Sequence, residues 1–182
     1  ACALLTVLLG YQASRLDINA SFDKMMPQSH PFIQNYRANA SNLKGLGNSV
    51  RIVVENTQGD IYDPKYLEVL RDINDKVFLV PGVDRSFMKS LWMPVVRWTE
   101  ITAEGYKGGP VMPDTYNGSP ESIEALRNNV HRSGIIGSLV ANDQHSSMLF
   151  VPLLDTDAVS GKPLDYRAFR DAVDAIRIDY EQ

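Results

Sequence analysis

The sequence predicts an α+β domain, with helices on one face of a mainly antiparallel sheet. Three observations predict it. Val50-Arg51-Ile52-Val53-Val54-Glu55 is a compact β-branched run and reads as a strand. Asp63-Pro64 and Ser119-Pro120 each place a capping side chain before a proline, and each opens a stretch with apolar residues at helical spacing. Two apolar runs, 138–141 and 147–154, flank Asn142-Asp143-Gln144-His145 in the pattern of a hairpin.

Taken in order, Met25-Met26-Pro27 to His30-Pro31 reads as an extended, proline-punctuated linker. Phe32, Ile33, Tyr36 and Leu43 predict a short helix, broken by Gly45 and Gly47. After the strand at 50–55 comes a turn at Gln58-Gly59-Asp60. The next helix is expected to bury Tyr66, Val69, Leu70, Ile73 and Val77 and to end at Pro81-Gly82. A second strand over 83–91 completes a β-α-β unit.

Residues 92–118 form a Gly-, Pro- and aromatic-rich excursion, expected to be ordered because so many large side chains are costly to leave in water. Ile123, Leu126 and Val130 line one face of the helix that follows, and Gly134 and Gly137 punctuate its exit. A turn through Ser160-Gly161-Lys162-Pro163 precedes a last helix with the stripe Phe169, Ala172, Val173, Ile176 and Tyr180. A ferredoxin-like split β-α-β needs one more strand after residue 182, and the chain is expected to stop just short of it.

Charge narrows the function. The 182 residues carry a net charge of −4, which argues against a nucleic-acid partner. Lys65, Arg71 and Lys76 alternate with Glu68, Asp72 and Asp75, the pattern of a solvated helix face. Cys2 is the single cysteine, so neither an intrachain disulfide nor a thiolate metal site is expected.

His30, His131 and His145 lack metal-ligand spacing, and Asp155 with Asp157 lacks the further oxygens of a calcium loop. No nucleophile elbow, phosphate-cradling loop or acid/base pair is visible, and Glu100 and Glu104 have no partner histidine. The expectation is a protein that is not an enzyme and holds no cofactor and no metal.

Two features remain. Residues 1–11 run Ala-Cys-Ala-Leu-Leu-Thr-Val-Leu-Leu-Gly-Tyr, with no charge before Arg15. The end of a transmembrane helix, the remnant of a signal peptide and a buried core segment all fit this run. Second, Phe87, Met88, Trp92, Met93, Trp98, Tyr106 and Met112 concentrate aromatic rings and thioethers. Such a set packs the core of a lobe or lines a pocket for greasy ligands. In the second case Phe87, Trp92, Met93, Trp98, Tyr106 and Met112 are the substrate-contact candidates.

The run Ser21-Phe22-Asp23-Lys24-Met25-Met26-Pro27 to His30-Pro31-Phe32-Ile33-Gln34-Asn35-Tyr36, directly after an apolar segment, resembles the region past the first membrane span of bacterial resistance–nodulation–division (RND) exporters. The likeness is to the group related to mycobacterial MMPL proteins and sterol-sensing permeases. Asp63-Pro64-Lys65-Tyr66-Leu67 through Val80-Pro81-Gly82-Val83-Asp84, Ser90-Leu91-Trp92-Met93-Pro94 and Gly108-Gly109-Pro110-Val111-Met112-Pro113 look like the same family, as does the order of the hairpin over 137–154 and the helix after it.

The resemblance implies porter-type α+β subdomains in the periplasm of a bacterial inner-membrane protein. It implies proton-driven efflux of hydrophobic or lipid-like compounds and a homo-oligomer in the full-length protein. On that basis 1–14 is the end of a transmembrane helix anchoring the chain in the inner membrane, 15–49 a linker with a short helix, and 50–182 the periplasmic domain. The family's proton-carrying residues lie in later membrane helices, so no catalytic residue carries over. The alternatives are a membrane-tethered periplasmic binding or adaptor module without transport activity, and a hydrolase with an unrecognised site.

Overall fold

The computed structural model describes residues 6, 11, 27, 29–39, 48–157, 161–162 and 164–181. The chain divides into two units, Ala1–Lys44 and Gly45–Gln182. In the first, helix α1 spans Pro31–Asn39 and buries Ile33. Thr6 and Tyr11 are helical and exposed. The rest of the apolar opening, Leu43 and the Gly45/Gly47 break lie outside the described residues. Among those described, no helix is long and apolar enough to cross a membrane.

The second unit runs β1 (Ser49–Glu55), α2 (Pro64–Leu79), β2 (Arg97–Thr102), β3 (Gly105–Pro110), α3 (Pro120–Ser133), β4 (Ser146–Pro152) and α4 (Tyr166–Tyr180). It is an α+β fold with two small antiparallel sheets, β1–β4 and β2–β3, where one sheet was expected.

Local chemistry explains the helices. Asp63 Oδ1 accepts from the Lys65 N–H at 2.9 Å, and Pro64 stands where a missing N–H costs nothing. Ser119 Oγ accepts from Ser122 N at 3.3 Å, and α3 ends on Gly134 in the left-handed region at φ 68°. Asp165 caps α4 through Arg167 N and Ala168 N. The inner face of α2 is Tyr66, Leu67, Leu70, Ile73 and Val77, so the expected Val69 is corrected: it is 39% exposed, and Leu67 takes its place in the core. Substituting one core leucine for alanine typically costs about 2–5 kcal/mol.

In β1, Val50, Ile52 and Val54 face Val151, Leu149 and Ser147 of β4, and these residues form the inner face of the sheet. Leu153 N→Asn48 O and Asn56 N→His145 O, each 2.8 Å, extend this ladder at both ends. The alternation therefore turns the backbone groups of Ser49, Arg51, Val53 and Glu55 toward the far edge of β1.

The expected strand over 83–91 is corrected. Val83 bridges Leu153 and Lys89 bridges Phe150, both antiparallel, but no continuous ladder joins them. Between the two bridges lie five residues on one side and two on the other. The surplus is taken up by a turn closed by Phe87 N→Asp84 O at 3.2 Å, where Asp84 and Ser86 supply turn chemistry. The expected strand over 138–141 likewise contracts to one bridging residue, Val140, while the tight connection survives as Ala141 N→Ser146 O, 3.0 Å. Gln144 takes φ 60° within it.

The excursion over 92–118 is ordered and contains the β2–β3 hairpin, against which α3 packs. A Cβ on Gly108 would come within 2.8 Å of the Trp98 carbonyl oxygen, so glycine permits the close approach that closes this hairpin.

Candidate functional site

The outer face of the β1–β4 sheet carries the odd residues of β1 and the even residues of β4. Arg51 stands directly opposite Phe150. On the other side of Phe150 lies Lys89, joined to it by Lys89 N→Phe150 O at 2.9 Å and Phe150 N→Lys89 O at 2.8 Å. Paired side chains of an antiparallel ladder project to the same side. The result is a row across three chain segments in which an aromatic ring sits between two cations.

Two further segments raise walls beside this row. Val95 and Val96 lead into β2 and deliver Arg97, held by Val96 N→Met93 O and Val111 N→Val96 O, each 2.9 Å. From the end of α3, Ile135, Gly137, Ser138 and Leu139 fold back in a tight turn, with Leu139 N→Ile135 O at 2.9 Å and Gly137 at φ 84°. Together these segments and Met148 line an open surface hollow of about 590 Å3.

Its lining is chemically one-sided. Arg51, Lys89 and Arg97 contribute three positive charges, and no carboxylate lines it. None of the three forms an ion pair among the described residues, whereas Arg127 pairs with Asp60 and Glu124, and Arg132 with Glu100. The rest of the lining is aliphatic or aromatic apart from Gly137 and Ser138, and the Ser138 hydroxyl donates to Ile135 O at 3.0 Å. The lining sets no nucleophile beside a base.

The six sequence-derived contact candidates lie elsewhere. Met112 is buried in the core, with Trp92 and Met93 packed against it. Trp92 donates from Nε1 to Leu67 O at 3.0 Å and meets Tyr116 edge-on, with ring centroids 5.4 Å apart. Burial pushes the Tyr116 phenol up, and the charges of Glu68 and Asp63 add to this. Trp98 lies on β2 under the Arg132 guanidinium, 3.9 Å from the ring centroid. Phe87 is exposed in the 84–87 turn, and Tyr106 is 83% exposed on β3. None of the six lines the hollow.

No protein-family model matches the chain, and no curated protein is significantly similar to it. The histidines gain no metal-site geometry: among the described residues no cluster of three histidine, cysteine or carboxylate groups forms. His145 Nδ1 instead lies 2.5 Å from the Gly59 carbonyl oxygen.

Sequence reasoning missed Arg51, Lys89, Arg97 and Phe150. The only local signal was an arginine inside a β-branched run at an outward position; what surrounds it depends on strand register.

Proposed function

We propose that this chain is a periplasmic porter-type domain of a proton-driven RND exporter, contributing to the capture and passage of hydrophobic or lipid-like compounds. The observation that carries this reading is the strand arrangement. β4 lies between β1 and the bridged residues Val83 and Lys89, every pairing is antiparallel, and α2 connects the two outer segments. This order and these directions are compatible with a ferredoxin-like split β-α-β in which the bridged segment stands for a second strand. A further strand of such an arrangement would pair along β1, where Arg51 and Val53 have no outward backbone partner among the described residues. The resemblance of residues 21–36, 63–84, 90–94 and 108–113 to RND exporters adds the membrane setting, and the hollow supplies a surface for a ligand.

The reading assigns to the intact protein an inner-membrane anchor, this domain on the periplasmic side, and assembly as a homo-oligomer. The experiment is accumulation of a fluorescent long-chain amphiphile in bacteria that express the intact protein. Expression lowers accumulation, and a protonophore abolishes the difference. Equal accumulation with and without the protein contradicts the reading.

A further inference from the structure

We infer that the hollow lined by Arg51, Lys89 and Arg97 is a binding site for an anionic amphiphile, an aliphatic chain bearing an acidic headgroup. This deepens the proposed capture role and rests on it. Two independent features of the lining lead there.

The first is charge. In a chain with net charge −4, three cations without ion-pair partners among the described residues meet at one hollow that no carboxylate lines. Like charges gathered on one surface repel one another, and an anion between them relieves that repulsion. Glu55 shares the outer sheet face but stands opposite Ser146, away from the Arg51–Phe150–Lys89 row.

The second is the apolar lining. Val95, Ile135, Leu139, Met148 and Phe150 supply apolar lining to the hollow, and Val95 is 52% exposed. A small inorganic anion would leave that surface wet, and a neutral hydrocarbon would leave the cations uncompensated. A ligand with an acid at one end and an alkyl chain at the other matches both. The volume of about 590 Å3 falls within the usual range of ligand sites, about 300–1,000 Å3.

The test is calorimetric titration of the 182-residue chain with dodecanoate, dodecyl maltoside and inorganic phosphate, each amphiphile below its micellar concentration. Dodecanoate should bind about tenfold or more tightly than dodecyl maltoside, because charge-assisted hydrogen bonds are the strong ones. The Arg51→Gln, Lys89→Gln, Arg97→Gln triple variant should lose that advantage while its circular dichroism stays unchanged. A control pair, Lys107→Gln with Arg170→Gln, removes two cations elsewhere and should leave binding intact.

Equal affinity for the two amphiphiles, or dodecanoate binding that the triple variant retains, overturns the anionic assignment and leaves the capture of neutral greasy compounds standing. Phosphate binding as tightly as dodecanoate overturns the need for a chain. Absence of binding by either amphiphile overturns the inference and the capture reading together.

Discussion

The Tyr66 hydroxyl stands at the backbone of Ser147, accepting from its N–H at 3.0 Å and meeting its Oγ at 2.7 Å. The same hydroxyl is 2.9 Å from Val54 O, so one phenol on α2 ties the helix to both β1 and β4. Burial pushes this phenol above its ordinary pKa, opposed by the hydrogen bonds from Ser147. Tyr66→Phe should destabilise the fold by about 1–3 kcal/mol, since it strips buried polar groups of a partner. Urea unfolding of Tyr66→Phe, Ser147→Ala and the double variant measures it, and the two single losses should not add.

Asn74 and Ser90 make a second buried polar contact, Ser90 Oγ→Asn74 Oδ1 at 2.6 Å. Ser90→Ala should cost about 1–3 kcal/mol by leaving the amide oxygen unsatisfied. Asn74→Leu with Ser90→Ala should recover part of the loss, read from the same denaturation curves.

A surface network joins α2 to α4. Tyr180 donates to Asp72, and Lys76 Nζ lies 2.7 Å from the Tyr180 hydroxyl and 3.3 Å from Asp72. The hydrogen bond from Tyr180, then that from Lys76, holds the Asp72 carboxyl below its ordinary range. The Tyr180 contact, with Asp72 behind it, holds the Lys76 ammonium above its own range, against some desolvation.

A depressed carboxyl pKa stabilises the fold above the unfolded carboxyl pKa, and that contribution is lost as pH falls through the folded value. A raised ammonium pKa stabilises it below the unfolded lysine pKa, and that is lost as pH rises through the folded value. The helix-to-helix contact should therefore be firmest between the two. NMR titration should show the Asp72 pKa rising toward its ordinary value in Tyr180→Phe.

Arg132 covers Trp98 while donating to Asn129 Oδ1 at 2.7 Å and Glu100 Oε2 at 3.3 Å, which docks the β2–β3 hairpin on α3. Cation–π contacts of this kind contribute about 0.5–1 kcal/mol at exposed sites. In a Trp92→Phe background, Arg132→Gln should red-shift Trp98 emission and increase its quenching by acrylamide. An unchanged spectrum would mean that the hairpin is held by other contacts.

Local chemistry was readable. Asp63-Pro64 and Ser119-Pro120 cap helices because each signal needs only neighbouring residues, and Val50 to Val54 makes a strand in any sheet that offers a face. Signals that depend on distant residues were not. Nothing near Val83 reveals that β4 will hold it out of step with Lys89. The glycines over 105–109 hide a strand because they lack the side chains by which strands are recognised, although Gly108 is required by the approach of Trp98. The hollow is the extreme case, since Arg51, Lys89 and Phe150 become neighbours only through pairing across the sheet. The aromatic and methionine concentration was visible, but composition alone does not separate Met112 in the core from Tyr106 in solvent.

The proposed exporter role requires a membrane protein that holds this α+β domain on the periplasmic side of the inner membrane. Its most direct measurement is cell fractionation of the intact protein, followed by protease treatment of spheroplasts with an epitope inserted in the exposed turn over 142–145. The expected result is a membrane-bound protein whose epitope is cleaved from outside while a cytoplasmic marker survives. A freely soluble protein, or an epitope protected until the cells are lysed, would contradict it.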